Sequence, residues 1–212
     1  MSGLASARLY LVAPGRLAAG SLVELLPELA AAGVDVVQLR EKEMEAGDLL
    51  RLGAPIRDAC RAAGIPFIVN DRPDVALALE ADGVHLGQND LPVAVARRIV
   101  GAGAIVGRST HARAEIDAEL GGGERIDYLS VGPVRETPTK PGRPGTGLDV
   151  VRHAAAVISI PWFVTGGIAP DTLPSAIEAG ARRIVVVRAL TEAPDPVAVA
   201  TRLREMLEEA PL

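Results

Sequence analysis

At 212 residues the chain can bury one substantial core, about the size of a single α/β barrel or a doubly wound sheet. Hydrophobic residues make up 49% of it, but the apolar runs are short and interrupted, which excludes a bilayer-spanning segment. A formal charge of −5 with only 2% aromatic residues argues against nucleic acid, which calls for a basic surface with stacking platforms, yet leaves small anionic ligands open.

The N-terminal stretch MSGLASARLYLVAPG lacks the apolar run and cleavage pattern of a signal peptide. Cys60 is the only cysteine, so no internal disulfide can form and a reducing compartment fits. It lies in a helical pattern and reads as a small core residue. With three histidines and no second cysteine, a zinc site is disfavoured. The expectation is a soluble, cytoplasmic protein with no membrane contact.

Strand-like runs alternate with helical patterns from end to end, and no composition shift marks a linker, so one domain over residues 1–212 is expected. Arg8–Ala13 reads as the first strand, with a helix from Ser21 to about Ala32. Val34–Leu39 is the second strand, followed by a long helix over about Ala46 to Ala63, closed by Gly64. Pro66–Val69 is an apolar run typical of a strand buried on both faces, and Asp74 to Glu80 is helical. Gly83–Leu86 gives strand four, Leu91–Val100 a helix, and Ala104–Val106 a short strand five. Helix Ala112–Leu120 precedes strand six at Tyr128–Val131, and helix Leu148–Val157 precedes strand seven at Trp162–Thr165. Helix Asp171–Ala179, strand Arg183–Val187 and helix Asp195–Glu209 complete eight strand–helix units. A doubly wound sheet fits fewer, so the pattern predicts a (β/α)8 TIM barrel with its site at the C-terminal rim of the strands.

That rim can be read strand by strand. Strand two ends in Gln38-Leu39-Arg40-Glu41-Lys42, and alternation points Gln38, Arg40 and Lys42 the same way, an amide and two cations suited to an anion. A solvated charge run is the other reading. Strands three and four each end in an acid, Asp71 after Asn70 and Asp90 after Gln88-Asn89. Neighbours in a parallel sheet share a rim, so these carboxylates should sit side by side, where they repel unless a cation such as Mg²⁺ lies between them. The alternative is that each caps its following helix.

Strand five leads into Gly107-Arg108-Ser109-Thr110-His111, which reads as an anion site or an ordinary cap at a helix N-terminus, with His111 in the first turn. Gly132–Gly147, after strand six, is long, rich in Pro, Gly and Thr, and aperiodic; it is expected to be a lid carrying Thr137, Thr139 and Lys140, a surface loop being the alternative. Strand seven ends in Thr165-Gly166-Gly167-Ile168, a phosphate cradle by its place in the count or else a tight turn. The rim thus offers two anion sites and no Ser–His–Asp grouping, activated Cys or Schiff-base Lys. A reaction needing charge stabilisation more than proton transfer suits this inventory.

The segments QLREK at 38–42, ND at 70–71, HLGQND at 85–90, GRSTH at 107–111, GPVRETPTK at 132–140 and TGGI at 165–168 together resemble the thiamine phosphate synthase family over essentially the whole chain. Each motif is weak alone; six in order are specific. The resemblance implies a transferase that joins 4-amino-2-methyl-5-(diphosphooxymethyl)pyrimidine to thiazole phosphate, yielding thiamine phosphate and diphosphate by an Mg²⁺-assisted dissociative route. It implies that Gln38, Leu39, Arg40, Glu41, Lys42, Asn70, Ser109 and Lys140 hold the pyrimidine diphosphate, with Arg40, Lys42 and Lys140 stabilising the leaving group. Asp71 and Asp90 would bind Mg²⁺. Thr137, Pro138, Thr139, Gly167, Val187 and Arg188 would hold the thiazole phosphate. A homodimer is compatible with the sequence.

Four residues at three places depart from the family pattern: Arg188 replaces a small hydroxyl residue, Arg135-Glu136 an aromatic and a proline, and Arg108 a small apolar residue. An inward Arg188 would pair with the thiazole phosphate; an outward one would only lie along the next helix. Two rival functions are a thiazole tautomerase, which needs an acid/base residue where Pro133 follows Gly132, and a non-catalytic barrel binding thiamine intermediates, which has no use for paired acids.

Overall fold

Eight parallel strands close on themselves in a computed structural model described for residues 2–137 and 145–210. They are β1 (Leu9–Ala13), β2 (Val36–Leu39), β3 (Phe67–Asn70), β4 (Gly83–Leu86), β5 (Ile105–Thr110), β6 (Tyr128–Val131), β7 (Trp162–Val164) and β8 (Ile184–Val186). Each pairs with its sequence neighbours, and β1 closes the ring by pairing with both β8 and β2. The connecting helices are α1 (Leu22–Ala31), α2 (Ala46–Ala63), α3 (Pro73–Ala78), α4 (Val93–Val100), α5 (Arg113–Gly121), α6 (Leu148–Val157), α7 (Leu173–Glu178) and α8 (Pro196–Glu208). This is the expected TIM barrel. None of the described helices is long and apolar enough to cross a membrane.

The strands lie buried on both faces, so they read as apolar runs and not as alternating patterns. Alternation still sorts their side chains into two cores. Leu9, Leu11 and Ala13 of β1 face the helices, together with Val37 and Leu39 of β2. Tyr10, Val12, Val36, Ile68, Tyr128, Phe163 and Val185 fill the barrel interior, with Leu4 from a short helix at Ser2–Ser6 and Ala7 just after it. Both tyrosines and Phe163 meet edge to face in this interior, with ring centroids 5.3–5.7 Å apart. Gly107 makes that possible, because a Cβ there would lie 2.0 Å from Cζ of Tyr128. Cys60 is buried in the outer core, and burial pushes its thiol up to about 12, as befits a packing residue.

The structure corrects several boundaries. Strand five does not stop at Val106 but runs to Thr110, so Ser109 and Thr110 are strand residues and not a helix N-terminus. The following helix starts at Arg113, which leaves His111 in the turn before it. A two-stranded ribbon, Arg16–Leu17 with Gly20–Ser21, follows β1, and a one-turn helix, Arg188–Thr191, follows β8; neither is apparent from periodicity. Of the long connection after β6, the described ends are tied together: Thr146 N–H donates to Pro133 O at 2.7 Å and Gly147 N–H to Val134 O at 3.1 Å. Pro138, Thr139, Lys140 and Arg143, and with them much of the expected lid, lie outside the described residues.

Candidate active site

The C-terminal rim opens into a cavity of about 650 Å³. Its lining contains most of the side chains expected from sequence, and alternation explains which. Gln38, Arg40 and Lys42 of the β2 end line it. Leu39 does not; its side chain is in the core beneath the helices. Glu41 also turns away, its Oε1 accepting the Gly15 N–H at 2.9 Å. Neither the Leu39 nor the Glu41 side chain lines the cavity, so any contact of theirs with a ligand there would come from the backbone.

Asn70, Asp71 and Asp90 stand at the ends of β3 and β4 and line the same cavity. Asp71 adopts a left-handed conformation with φ 62°, its N–H held by His85 O at 2.8 Å across to β4. Asp90 Oδ2 accepts the Gly87 N–H at 2.6 Å, which fixes one carboxylate oxygen. Burial, and then a hydrogen bond and repulsion from Asp71, hold the Asp90 carboxyl above its ordinary range, while Lys42 acts in the opposite direction. Lys42 Nζ also lies 3.4 Å from Asp71 Oδ2. Two carboxylates lining one end of a cavity repel each other unless a cation lies between them. Among the described residues no group of three or more His, Cys, Asp or Glu is placed to hold a metal. A hard cation completing its shell with water and phosphate oxygens fits a pair; a zinc-type cage does not.

On the opposite side, Thr137, Gly167, Val187 and Arg188 line the cavity with Gly166. Gly166 has φ 99°, and a Cβ on it would stand 2.4 Å from Pro133 Cα, so the turn after β7 admits no side chain there.

Comparison with known proteins agrees with this fold. The family model described as thiamine monophosphate synthase matches residues 9–190. The chain belongs to the thiamine monophosphate synthase family. Thiamine-phosphate synthase from Streptomyces avermitilis is 51% identical over 208 residues, covering 98% of this chain and 96% of that protein. The Thermus thermophilus protein of the same name is 51% identical over 203 residues, covering 94% and 97%. The thiamine phosphate pyrophosphorylase structure from Pyrococcus furiosus superposes with a TM-score of 0.85 at 32% identity, covering 98% of each chain.

Within this thiamine monophosphate synthase barrel, the unusual arginines have specific partners. Arg108 is largely buried. Its Nε donates to Glu119 Oε1 at 2.9 Å and its Nη1 to Gly87 O at 2.6 Å, so it braces the loop that carries Asp90. Gln88 joins the brace, with Nε2 donating to Ser109 O at 2.6 Å and to Glu119 Oε1 at 3.2 Å. Arg188, expected to lean inward, instead spends its Nε on Glu192 Oε1 at 2.8 Å, one turn along its own helix at the cavity mouth. Arg135 is exposed, its chain running past Gly167.

Sequence reasoning missed the inner wall. Tyr10, His85 and Ser130 line the cavity. His85 carried a signal, being the one polar residue in the otherwise apolar strand GVHL, but it was masked by the acids that follow it. His111, assigned to a helix, lines the cavity too: its Nδ1–H donates to Gly132 O and its N–H to Glu115 Oε2 at 2.7 Å. Of the two hydroxyls on β5, only Ser109 faces the cavity; Thr110 is turned away, its Oγ1 donating to Ser130 O at 3.3 Å.

Proposed function

We infer that this chain joins 4-amino-2-methyl-5-(diphosphooxymethyl)pyrimidine to thiazole phosphate, releasing diphosphate, as a single-domain transferase of thiamine biosynthesis. The observation that carries the reading is the meeting of Asp71, Asp90, Lys42 and Arg40 at one end of a cavity whose other end is a glycine turn. That is a place for a diphosphate and a place for a second phosphate, in relatives of half-identical sequence that bear the synthase name.

The thiazole nitrogen is a neutral nucleophile with no proton to lose, so the site requires no general base. The expensive step is departure of diphosphate from the pyrimidine methylene carbon, which leaves a cation that the thiazole nitrogen captures. Arg40 and Lys42 would oppose the negative charge developing on the leaving group, acting from fixed positions in a partly enclosed site. Asp71 and Asp90 would hold Mg²⁺, which when bound supplies further charge neutralisation to the diphosphate. Asn70, Gln38 and Ser109 would orient the pyrimidine, and Thr137, Gly167 and the β8 end the thiazole phosphate. Lys140 and Thr139 are proposed for the same phosphates on the sequence resemblance alone.

A buried, unreactive Cys60 and an acidic composition suit a cytoplasmic enzyme of small phosphorylated substrates. The test is formation of thiamine phosphate from both substrates with Mg²⁺ and with EDTA. Turnover that requires both substrates and is lost in EDTA supports the reading. Absence of product with Mg²⁺ present would refute it.

A further inference from the structure

Beneath the rim, five side chains from different strands are joined in series across the barrel. Gln38 Nε2 donates to the Tyr10 hydroxyl at 2.7 Å. The Tyr10 and Tyr128 hydroxyls are 2.8 Å apart, and the Tyr128 hydroxyl lies 2.9 Å from His85 Nδ1. His85 Nε2 then lies 2.8 Å from Ser109 Oγ. All five residues are buried, and Gln38, Tyr10, His85 and Ser109 also line the cavity. We propose that Tyr10, Tyr128 and His85 are positioning residues that fix the hydrogen-bond polarity of the cavity floor, so that Gln38 and Ser109 accept an aminopyrimidine edge and reject the corresponding oxo form. The ligand class rests on the function proposed above; the polarity rests on the chain of hydrogen bonds.

Each hydroxyl has one proton, and each ring nitrogen of a neutral imidazole is either donor or acceptor. With His85 neutral and every proton between Gln38 and Ser109 paired within the series, a choice at one end propagates to the other. With Gln38 Nε2 donating, Tyr10 gives its proton to Tyr128, and Tyr128 gives its own to His85 Nδ1. The His85 proton is left on Nε2 and goes to Ser109 Oγ, so the Ser109 proton remains for the cavity. Gln38, its nitrogen engaged, has its Oε1 left as an acceptor. Burial pushes both tyrosines well above their ordinary ionisation range, so each keeps its proton and the chain stays intact.

The floor thus presents an acceptor at Gln38 and a donor at Ser109. A 4-aminopyrimidine edge carries the complement, an exocyclic N–H beside a ring nitrogen lone pair. The 4-oxo form inverts it, with a carbonyl beside a ring N–H. Admitting the oxo form with both bonds made would require all five groups to reverse together, including rotation of the Gln38 amide. A site built to pair one pattern leaves its own buried groups unpaired with the other, which is the strong form of discrimination.

The test compares the 4-amino and 4-oxo pyrimidine diphosphates in binding titrations with Mg²⁺ and without thiazole phosphate, alongside ¹⁵N NMR of His85. The wild type should bind the amino form at least about tenfold more tightly and show His85 protonated at Nε2. Tyr128→Phe keeps the ring packed against Tyr10 and Phe163 but cuts the chain. It should lose most of that preference and shift the His85 tautomer. Tyr10→Phe cuts the chain one link earlier and should behave alike, which separates the effect from damage to one site. An unchanged amino-to-oxo ratio in both variants, or a wild-type His85 protonated at Nδ1, would overturn the proposal while leaving the synthase reading standing. A wild type that binds neither pyrimidine would overturn that reading and the ligand assigned here with it.

Discussion

Asp71 and Asp90, nineteen positions apart and each following one of two successive strands, line the same cavity, and burial together with the neighbouring Asp71 carboxylate raises the ionisation of Asp90. In the absence of a cation the pair carries unfavourable charge, which Lys42 offsets from one side only. Asp90→Asn keeps an oxygen for the Gly87 N–H and removes the repulsion. It should unfold at a higher temperature than the wild type in EDTA at neutral pH, yet lose the rise in Tm that Mg²⁺ gives the wild type. Calorimetry with and without Mg²⁺ checks both halves; an equal Mg²⁺-dependent rise in the variant would remove Asp90 as a ligand.

Arg108 and Glu119 form a largely buried pair, their side chains 11% and 15% exposed, that also ties down Gly87. Removing one partner of such a pair strands the other. Arg108→Ala should therefore cost about 3 kcal/mol in urea unfolding, and adding Glu119→Ala should recover part of it. Because the pair braces the Asp90 loop, the single variant should also weaken the Mg²⁺-dependent stabilisation. Simple additivity of the two substitutions would show that the contact carries no coupling.

Gly107 is the space in which Tyr128 sits. A methyl group there meets the phenol ring and not the end of a flexible chain, so the wall must shift. Gly107→Ala should destabilise the barrel by about 1–3 kcal/mol. It should also disturb His85, whose ring stacks on Tyr128 with centroids 5.6 Å apart. Chemical denaturation and the His85 NMR signal measure the two effects; wild-type values of both would contradict the packing described here.

Arg188 stands at the cavity mouth with its guanidinium on Glu192, half exposed and along its own short helix. An exposed i,i+4 pair contributes little, so Arg188→Ser should leave the KM for thiazole phosphate within about twofold of wild type. A several-fold rise, with the pyrimidine KM unchanged, would mean that the arginine releases Glu192 and turns to the phosphate when substrate binds.

The sequence by itself determined the barrel and the composition of its rim. Eight strand–helix repeats leave few alternatives, and β4, β6, α2 and α6 fall on the residues predicted for them because mostly apolar short runs and a 3.6-residue helical period are local signals. Gln38, Arg40 and Lys42 could be assigned to one cavity because side chains alternate along a strand, the same rule that removes Leu39 to the core. Asp71 and Asp90 could be paired because adjacent parallel strands end together. The tertiary structure alone decided the rest. Whether Arg188 points in or out depends on a one-turn helix with Glu192 four residues ahead, too short to show a period. The Tyr10–Tyr128–His85 series is assembled from β1, β6 and β4, which are distant in sequence and meet only because barrel closure turns their inner faces onto one axis and Gly107 leaves room there. Local propensity reaches a few residues along the chain; a hydrogen-bond chain across a barrel is set by closure, and closure is a property of all eight strands together.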